Sequence, residues 1–151
     1  MSRFATGRLS TTTTASNASL EIINGHATLP AFLKEIGIAL NAATATVLLL
    51  GRPAAAGVTP TSPQAMVDEE GAATGSVTTA LAWATSPTPP TVPMRRMGFA
   101  ATAGLNWKFE FAGRGVRLAP GETFIISNSG AVSALSMYAV VEQDIRSVVT
   151  P

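Results

Sequence analysis

Cysteine is absent from the 151 residues, and histidine occurs once, at His26. The first absence excludes disulfides, thiolate zinc sites, iron–sulfur clusters and cysteine nucleophiles. The second excludes multi-histidine metal sites and leaves a single imidazole to serve as a general base. Charge is scarce too: 13% of the residues are charged, about half the usual share for a soluble domain, and the formal net charge is +1. Such a chain has few cations to set against phosphates, so no direct nucleic-acid partner is expected. No apolar run reaches the roughly 20 residues of a membrane-spanning helix, and the richest, Ala42 to Leu50, has about half that length. No membrane partner is therefore expected either. Met1 to Leu20 lacks the apolar core of a secretory signal, which predicts a protein made in a cytoplasm. On that reading the glycosylation sequon Asn17-Ala18-Ser19 is a chance match. Runs of Glu, Lys, Leu and Gln are missing as well, so strong helix formers have little weight.

What is present is β-branched, small and hydroxylated: 46% of the residues are hydrophobic, with 13 Gly, 10 Pro and 31 Ser and Thr. A chain of this length folds as one ordinary domain that buries about 70% of its unfolded surface. Its uncharged, hydroxyl-rich exterior is poorly protected against association, which suggests that other subunits cover much of it. Alternation is clearest where Leu105, Trp107, Phe109 and Phe111 interleave with Asn106, Lys108 and Glu110, placing four large apolar groups on one face of a strand. Phe32 to Leu40 repeats the pattern with Ile36, Ile38 and Leu40 inward and Lys34 as a long exception. Thr44 to Gly51 reads as a strand covered on both faces, joined to the preceding one by a hairpin at Asn41-Ala42-Ala43. With Phe4–Ser10, Ser19–Asn24, Ser76–Ala84, Met94–Ala101, Thr123–Asn128 and Val132–Glu142, the count is about eight to nine strands. Short connections without intervening helices predict an all-β, antiparallel β-sandwich of jelly-roll or Greek-key type. The expected organisation is an N-terminal arm or edge strand at 1–18, a sandwich domain at 19–144 and a C-terminal tail at 145–151. Arg52 to Gly75, with a helical turn within Ser62–Glu70, and Thr85 to Pro93 are expected to be loops.

No residue set assembles into a catalytic signature. No Gly-x-Ser-x-Gly elbow surrounds a serine, so His26 in Asn24-Gly25-His26 reads as a turn residue. Asp68, Glu69 and Glu70 are adjacent and lack the alternate spacing of a calcium loop, which favours a solvated loop and no metal. Nothing in the nine acids singles out a pair at glycosidase separation. Gly113-Arg114-Gly115 lacks the Gly-Lys-Ser/Thr element of a phosphate loop and reads as a tight hairpin. Trp83 and Trp107 fall in phase with apolar neighbours and are expected in the core, not on a sugar-stacking surface. Arg95-Arg96, in mid-strand, must send one guanidinium inward or into an interface, and an intersubunit ion pair is the expectation for it. The reading is of a protein that is not an enzyme and has no cofactor. Its candidate interface residues are Arg95, Arg96, Thr11, Thr12, Thr13, Thr14, Asp68, Glu69 and Glu70, the threonines lying on an arm able to add to a neighbour as an edge strand.

Several local patterns between Phe32 and Asp144 resemble small structural proteins of tailed bacteriophage virions. They are Lys34-Glu35-Ile36-Gly37-Ile38, then Leu50-Gly51-Arg52-Pro53 leading into a Pro/Gly/Ala loop, and Met94-Arg95-Arg96-Met97. Leu105-Asn106-Trp107-Lys108-Phe109, Gly113-Arg114-Gly115-Val116, Leu118-Ala119-Pro120-Gly121-Glu122 and Met137-Tyr138-Ala139-Val140-Val141-Glu142 complete the set. These are strand-and-turn patterns over about three quarters of the chain, with no catalytic motif among them. The resemblance implies a jelly-roll or related sandwich that acts as a capsid decoration, or cement, protein on the virion surface. It also implies a homotrimer, with the major capsid protein as partner. A head-fibre or tail-associated module that recognises host glycans is the first rival reading, and a baseplate or tail-tube component the second.

Overall fold

In a computed structural model the protein is described over residues 1–10, 17–71, 74–130 and 134–145. Thirteen β-strands and no helix occupy the described residues: β1 (Ser2–Ser10), β2 (Asn17–Asn24), β3 (Ala31–Leu40), β4 (Thr46–Gly51), β5 (Val58–Pro60), β6 (Gln64–Asp68), β7 (Thr74–Ala80), β8 (Trp83–Thr85), β9 (Arg95–Phe99), β10 (Asn106–Glu110), β11 (Val116–Leu118), β12 (Thr123–Asn128) and β13 (Leu135–Gln143). Eleven of them form one antiparallel sheet in the order β10-β3-β13-β1-β6-β7-β2-β12-β4-β9, with β11 also on β3; β5 and β8 form a separate pair. The sheet curls into a sandwich around one core, to which Phe4, Leu20, Leu33, Ile36, Leu48, Phe124 and Met137 contribute. The all-β antiparallel class expected from alternation is what the chain adopts, with thirteen strands in place of about nine.

The extra strands come from the stretch expected to be a loop. Residues 52–75 contain β5, β6 and the start of β7, and Gln64–Asp68 is extended where a helical turn was expected. Met66 and Asp68 point inward there while Val67 faces out, so this short strand carries the alternation of a half-buried edge-to-edge filler. The second expected loop is one: after β8 the chain runs through Pro87, Pro89 and Pro90, with a lone bridge between Ala55 and Thr88.

The expected hairpin between the third and fourth strands does not form. β3 pairs with β13, β10 and β11, whereas β4 pairs with β12 and β9, so residues 41–45 carry the chain from one layer to the other. Gly113–Gly115 is likewise no hairpin. β10 and β11 lie in line along the same edge of β3, at Glu35–Ala39 and at Ala31–Leu33, and residues 111–115 bulge out between them. The glycines serve as expected, with φ of 61° at Gly113 and 83° at Gly115. Lys34 is explained by a register shift: Val140 pairs with Glu35 but Val141 with Leu33. This bulge flips the strand's phase, so that Leu33 and Ala31 join Ile36, Ile38 and Leu40 in the core while Lys34 turns out to donate to the Gly113 carbonyl at 2.6 Å.

The expected N-terminal arm is in part an integral strand. Residues 2–10 register with 135–143 of β13 along their whole length, and Phe4 and Ala5 also pair with β6. Thr11, Thr12, Thr13 and Thr14 lie outside the described residues, as does most of the expected 145–151 tail.

Candidate docking surface at the open side of the sandwich

Both ends of the strand order, β9 and β10, border a single groove of about 740 Å³. The sandwich is thus sealed on one side by β6 and left open on the other. Phase decides what the opening contains. Met97 and Phe99 stand opposite Leu48 and Thr46 of β4, both buried, while Trp107 and Phe109 stand opposite Ile38 and Ile36 of β3. These side chains all aim at the core layer, but from edge strands that no further strand covers. Trp107 is consequently 54% exposed and Leu105 37% exposed. The expectation that Trp107 is buried fails for this reason: alternation reports which face a residue points to, not whether that face continues beyond it. Trp107 and Phe109 tilt against each other with ring centroids 6.0 Å apart, and Phe111 makes an edge contact with buried Phe124 at 6.0 Å.

Arg95 and Arg96 sit at the start of β9 along this groove, opposite Leu50 and Leu49. Arg95 shares the inward phase with Met97, so one guanidinium does belong to the core-facing row, yet both arginines are exposed because the strand is an edge. Arg95 donates to the Met94 carbonyl at 2.8 Å, and neither arginine stands within ion-pair distance of a carboxylate among the described residues. The acidic candidates lie elsewhere. Asp68 is buried at the end of β6 and accepts from the Glu70 amide at 2.9 Å; Glu69 pairs with Arg3 at 3.0 Å. Because β6 occupies the middle of the strand order, Asp68, Glu69 and Glu70 are not brought together with Arg95 and Arg96.

The outward face of the β10-β3-β13 layer carries a polar row that the one-dimensional reading missed. Lys108, Gly37, Tyr138 and Gly7 align across four strands, with Glu110 and Glu35 opposed in the next row. Lys108 and Glu110 pair at 2.8 Å, a bond that raises the lysine pKa and lowers that of the glutamate. The Tyr138 hydroxyl donates to Glu35; this bond, aided by desolvation, pushes the phenol pKa up. The equal parity of Lys108 and Glu110 was visible in the sequence, whereas their neighbours across the sheet depended on a register that was not.

The opposite layer is roofed. Glu21 points outward from β2 yet is fully buried, because its carboxylate accepts from the Trp83 indole and from the Gly57 amide at 3.1 Å. The β5–β8 pair and the proline loop form the roof; Pro87 and Pro90 are buried, and Pro90 lies against Gly51. Trp83 is accordingly half-buried under this flap and not in the central core. His26 is the turn residue expected: its Nδ1 accepts the amides of Thr28 at 3.1 Å and Leu29 at 2.9 Å. No group of three potential metal ligands occurs among the described residues. Comparison with family models, with curated proteins and with solved structures finds no match to this chain.

Proposed function

We propose that the chain is a structural virion protein of a tailed bacteriophage, a decoration protein that binds at capsomer junctions and stabilises the shell. It acts by binding and not by turnover. One observation carries the reading: an aromatic groove, bordered by Trp107, Leu105, Met97 and Phe99 and flanked by exposed Arg95 and Arg96, opens where the sandwich ends. A contiguous apolar surface of this kind is wet in the isolated chain and becomes favourable only on docking. Binding that exists only in the assembled state stabilises that state by mass action. The two guanidiniums suit an acidic rim on the partner, here the major capsid protein, and the assembly that accompanies this reading is a homotrimer.

The test is cosedimentation with capsids stripped of accessory proteins, together with cryo-electron microscopy of intact particles. Wild-type protein is expected to saturate the capsids and protect them against heat, and Trp107→Ala or Arg95→Glu/Arg96→Glu to bind at least about tenfold more weakly. Absence of the protein from purified particles, or unchanged binding by both variants, overturns the proposal. The exposure of Trp107 beside Asn106 and two arginines also favours a second reading, a head-fibre or tail module that stacks a host sugar on the indole. Glycan-array binding lost in Trp107→Ala but retained without any capsid affinity would select it.

A further inference from the structure

We propose that the free edge of β10 is self-complementary and joins the same edge of a second copy across a two-fold axis at Phe109. The inference rests on β10 alone and stands whether or not the protein belongs to a virion. The backbone provides the first part of the argument. Leu40 donates its amide to the Leu105 carbonyl, and the Phe111 amide donates to Lys34, so the odd residues of this segment direct their backbone groups toward β3. In an antiparallel ladder the intervening residues turn theirs the other way. Asn106, Lys108 and Glu110 therefore hold their N–H and C=O groups toward an edge that no strand among the described residues occupies.

Register comes next, and charge selects it. Two edges related by a two-fold axis can match even residues with even ones about Trp107, Lys108 or Phe109. An axis at Lys108 sets that lysine against itself. An axis at Phe109 instead places Lys108 opposite Glu110 of the second copy and Glu110 opposite its Lys108, with about four backbone hydrogen bonds between those residues. On the inward face the same register sets Phe109 against Phe109 and Trp107 against Phe111, which lines the joined edges with aromatic pairs. Glu110 stands directly opposite Glu35 on β3 and is held by Lys108 of its own chain, and the incoming Lys108 adds a second cation on its other side. An edge that carried only charge would be protected from association; this one presents an alternating +/− pair that matches its own reverse.

The test uses charge reversal at two side chains that are 55% and 68% exposed, so folding is left intact. Wild type is expected to be dimeric, or hexameric where this two-fold contact joins two of the trimers proposed above, by native mass spectrometry and sedimentation at micromolar concentration. Lys108→Glu sets Glu against Glu at both symmetric contacts, and Glu110→Lys sets Lys against Lys; each is expected to weaken the contact by about tenfold or more. Mixing the two single variants restores both opposite-charge contacts and should return a one-to-one heterodimer, and the double variant should form a homodimer. Wild type that is monomeric or trimeric, single variants that stay dimeric, or a mixture that fails to associate each overturns the proposal. Loss of capsid binding with the dimer intact would instead count against the decoration role alone.

Discussion

An ideal Cβ on Gly37 would lie 1.8 Å from the Tyr138 ring, which crosses the glycine to place its hydroxyl on Glu35. Gly37→Ala must therefore displace the ring. It is expected to cost about 1–3 kcal/mol in thermal unfolding, and much less when Tyr138 has already been changed to Ala, because the two positions share one space. The hydroxyl carries a pH signature of its own. Its pKa is raised by the bond to Glu35, so the folded state holds this proton more tightly than the unfolded chain. Its contribution is complete below the ordinary tyrosine value near 10 and is lost as pH rises through the elevated folded value. Wild type is expected to lose Tm more steeply than Tyr138→Phe above about pH 10, as followed by circular dichroism. Equal slopes would dismiss the bond as a stabilising one. Buried Asn24 tests a different kind of contact: it donates to the carbonyls of Leu29 and Leu118, each at 3.0 Å, and accepts from Gln143 at 3.2 Å. Asn24→Ala removes these three bonds, although Gln143 and the Leu29 carbonyl keep one to each other at 3.4 Å, and the loss at the Leu118 carbonyl should destabilise by about 1–3 kcal/mol, measured by urea unfolding.

Among the elements, the β5–β8 flap hangs on Glu21, whose two oxygens hold the Trp83 indole and the Gly57 amide. Glu21→Ala should release it, with a red shift of tryptophan emission and proteolytic cutting between residues 54 and 62 while the sandwich stays folded. Uncut protein with unshifted emission would place the hold elsewhere, in the packing of Pro87 and Pro90. Elements also mark the border of what was legible beforehand. The inward phase of Ile36, Ile38 and Leu40 followed from alternation, and local turn chemistry marked the turn at His26 and the positive-φ glycines at 113 and 115. The flip at Lys34 did not, because a bulge inserts one residue without any composition signal when a lysine can reach a carbonyl on either side. β6 was hidden by Pro60 and Pro63 just ahead of it and by the Glu69-Glu70-Gly71 run just after it, although these merely bound it. Of the candidate interface residues, Arg95 and Arg96 do line the open groove, but its aromatic wall was assigned to the core. Edge position is decided by partners far away in the chain, and Trp107 reads the same on an edge strand as on a central one.

At the scale of the molecule, the sandwich is asymmetric: sealed at β6, open between β9 and β10, roofed over β2 and β12, and bare over β10, β3 and β13. β6 is a slender seal, since it registers with β1 at only Phe4–Asp68 and Ala5–Val67. Shortening the chain by residues 1–10 strips β13 and β6 of their common neighbour, and the truncated protein is expected to lose cooperative thermal unfolding. A sharp transition in that protein would mean that β13 and β6 close without β1. Along the main path of the sheet only β6 and β7 are neighbours both in space and in sequence, so nearly all pairing is long-range, the regime in which sandwiches fold in milliseconds to seconds. The pairing of residues 2–10 with 135–143 has a consequence for biosynthesis. β1 is made well before its principal partner β13, and it must wait, with Phe4 and its own hydrogen-bonding edges uncovered, until residues 135–143 have emerged. A nascent chain halted before residue 135 cannot complete this ladder and presents an unsatisfied strand to chaperones, proteases and other unfinished copies on the same polysome.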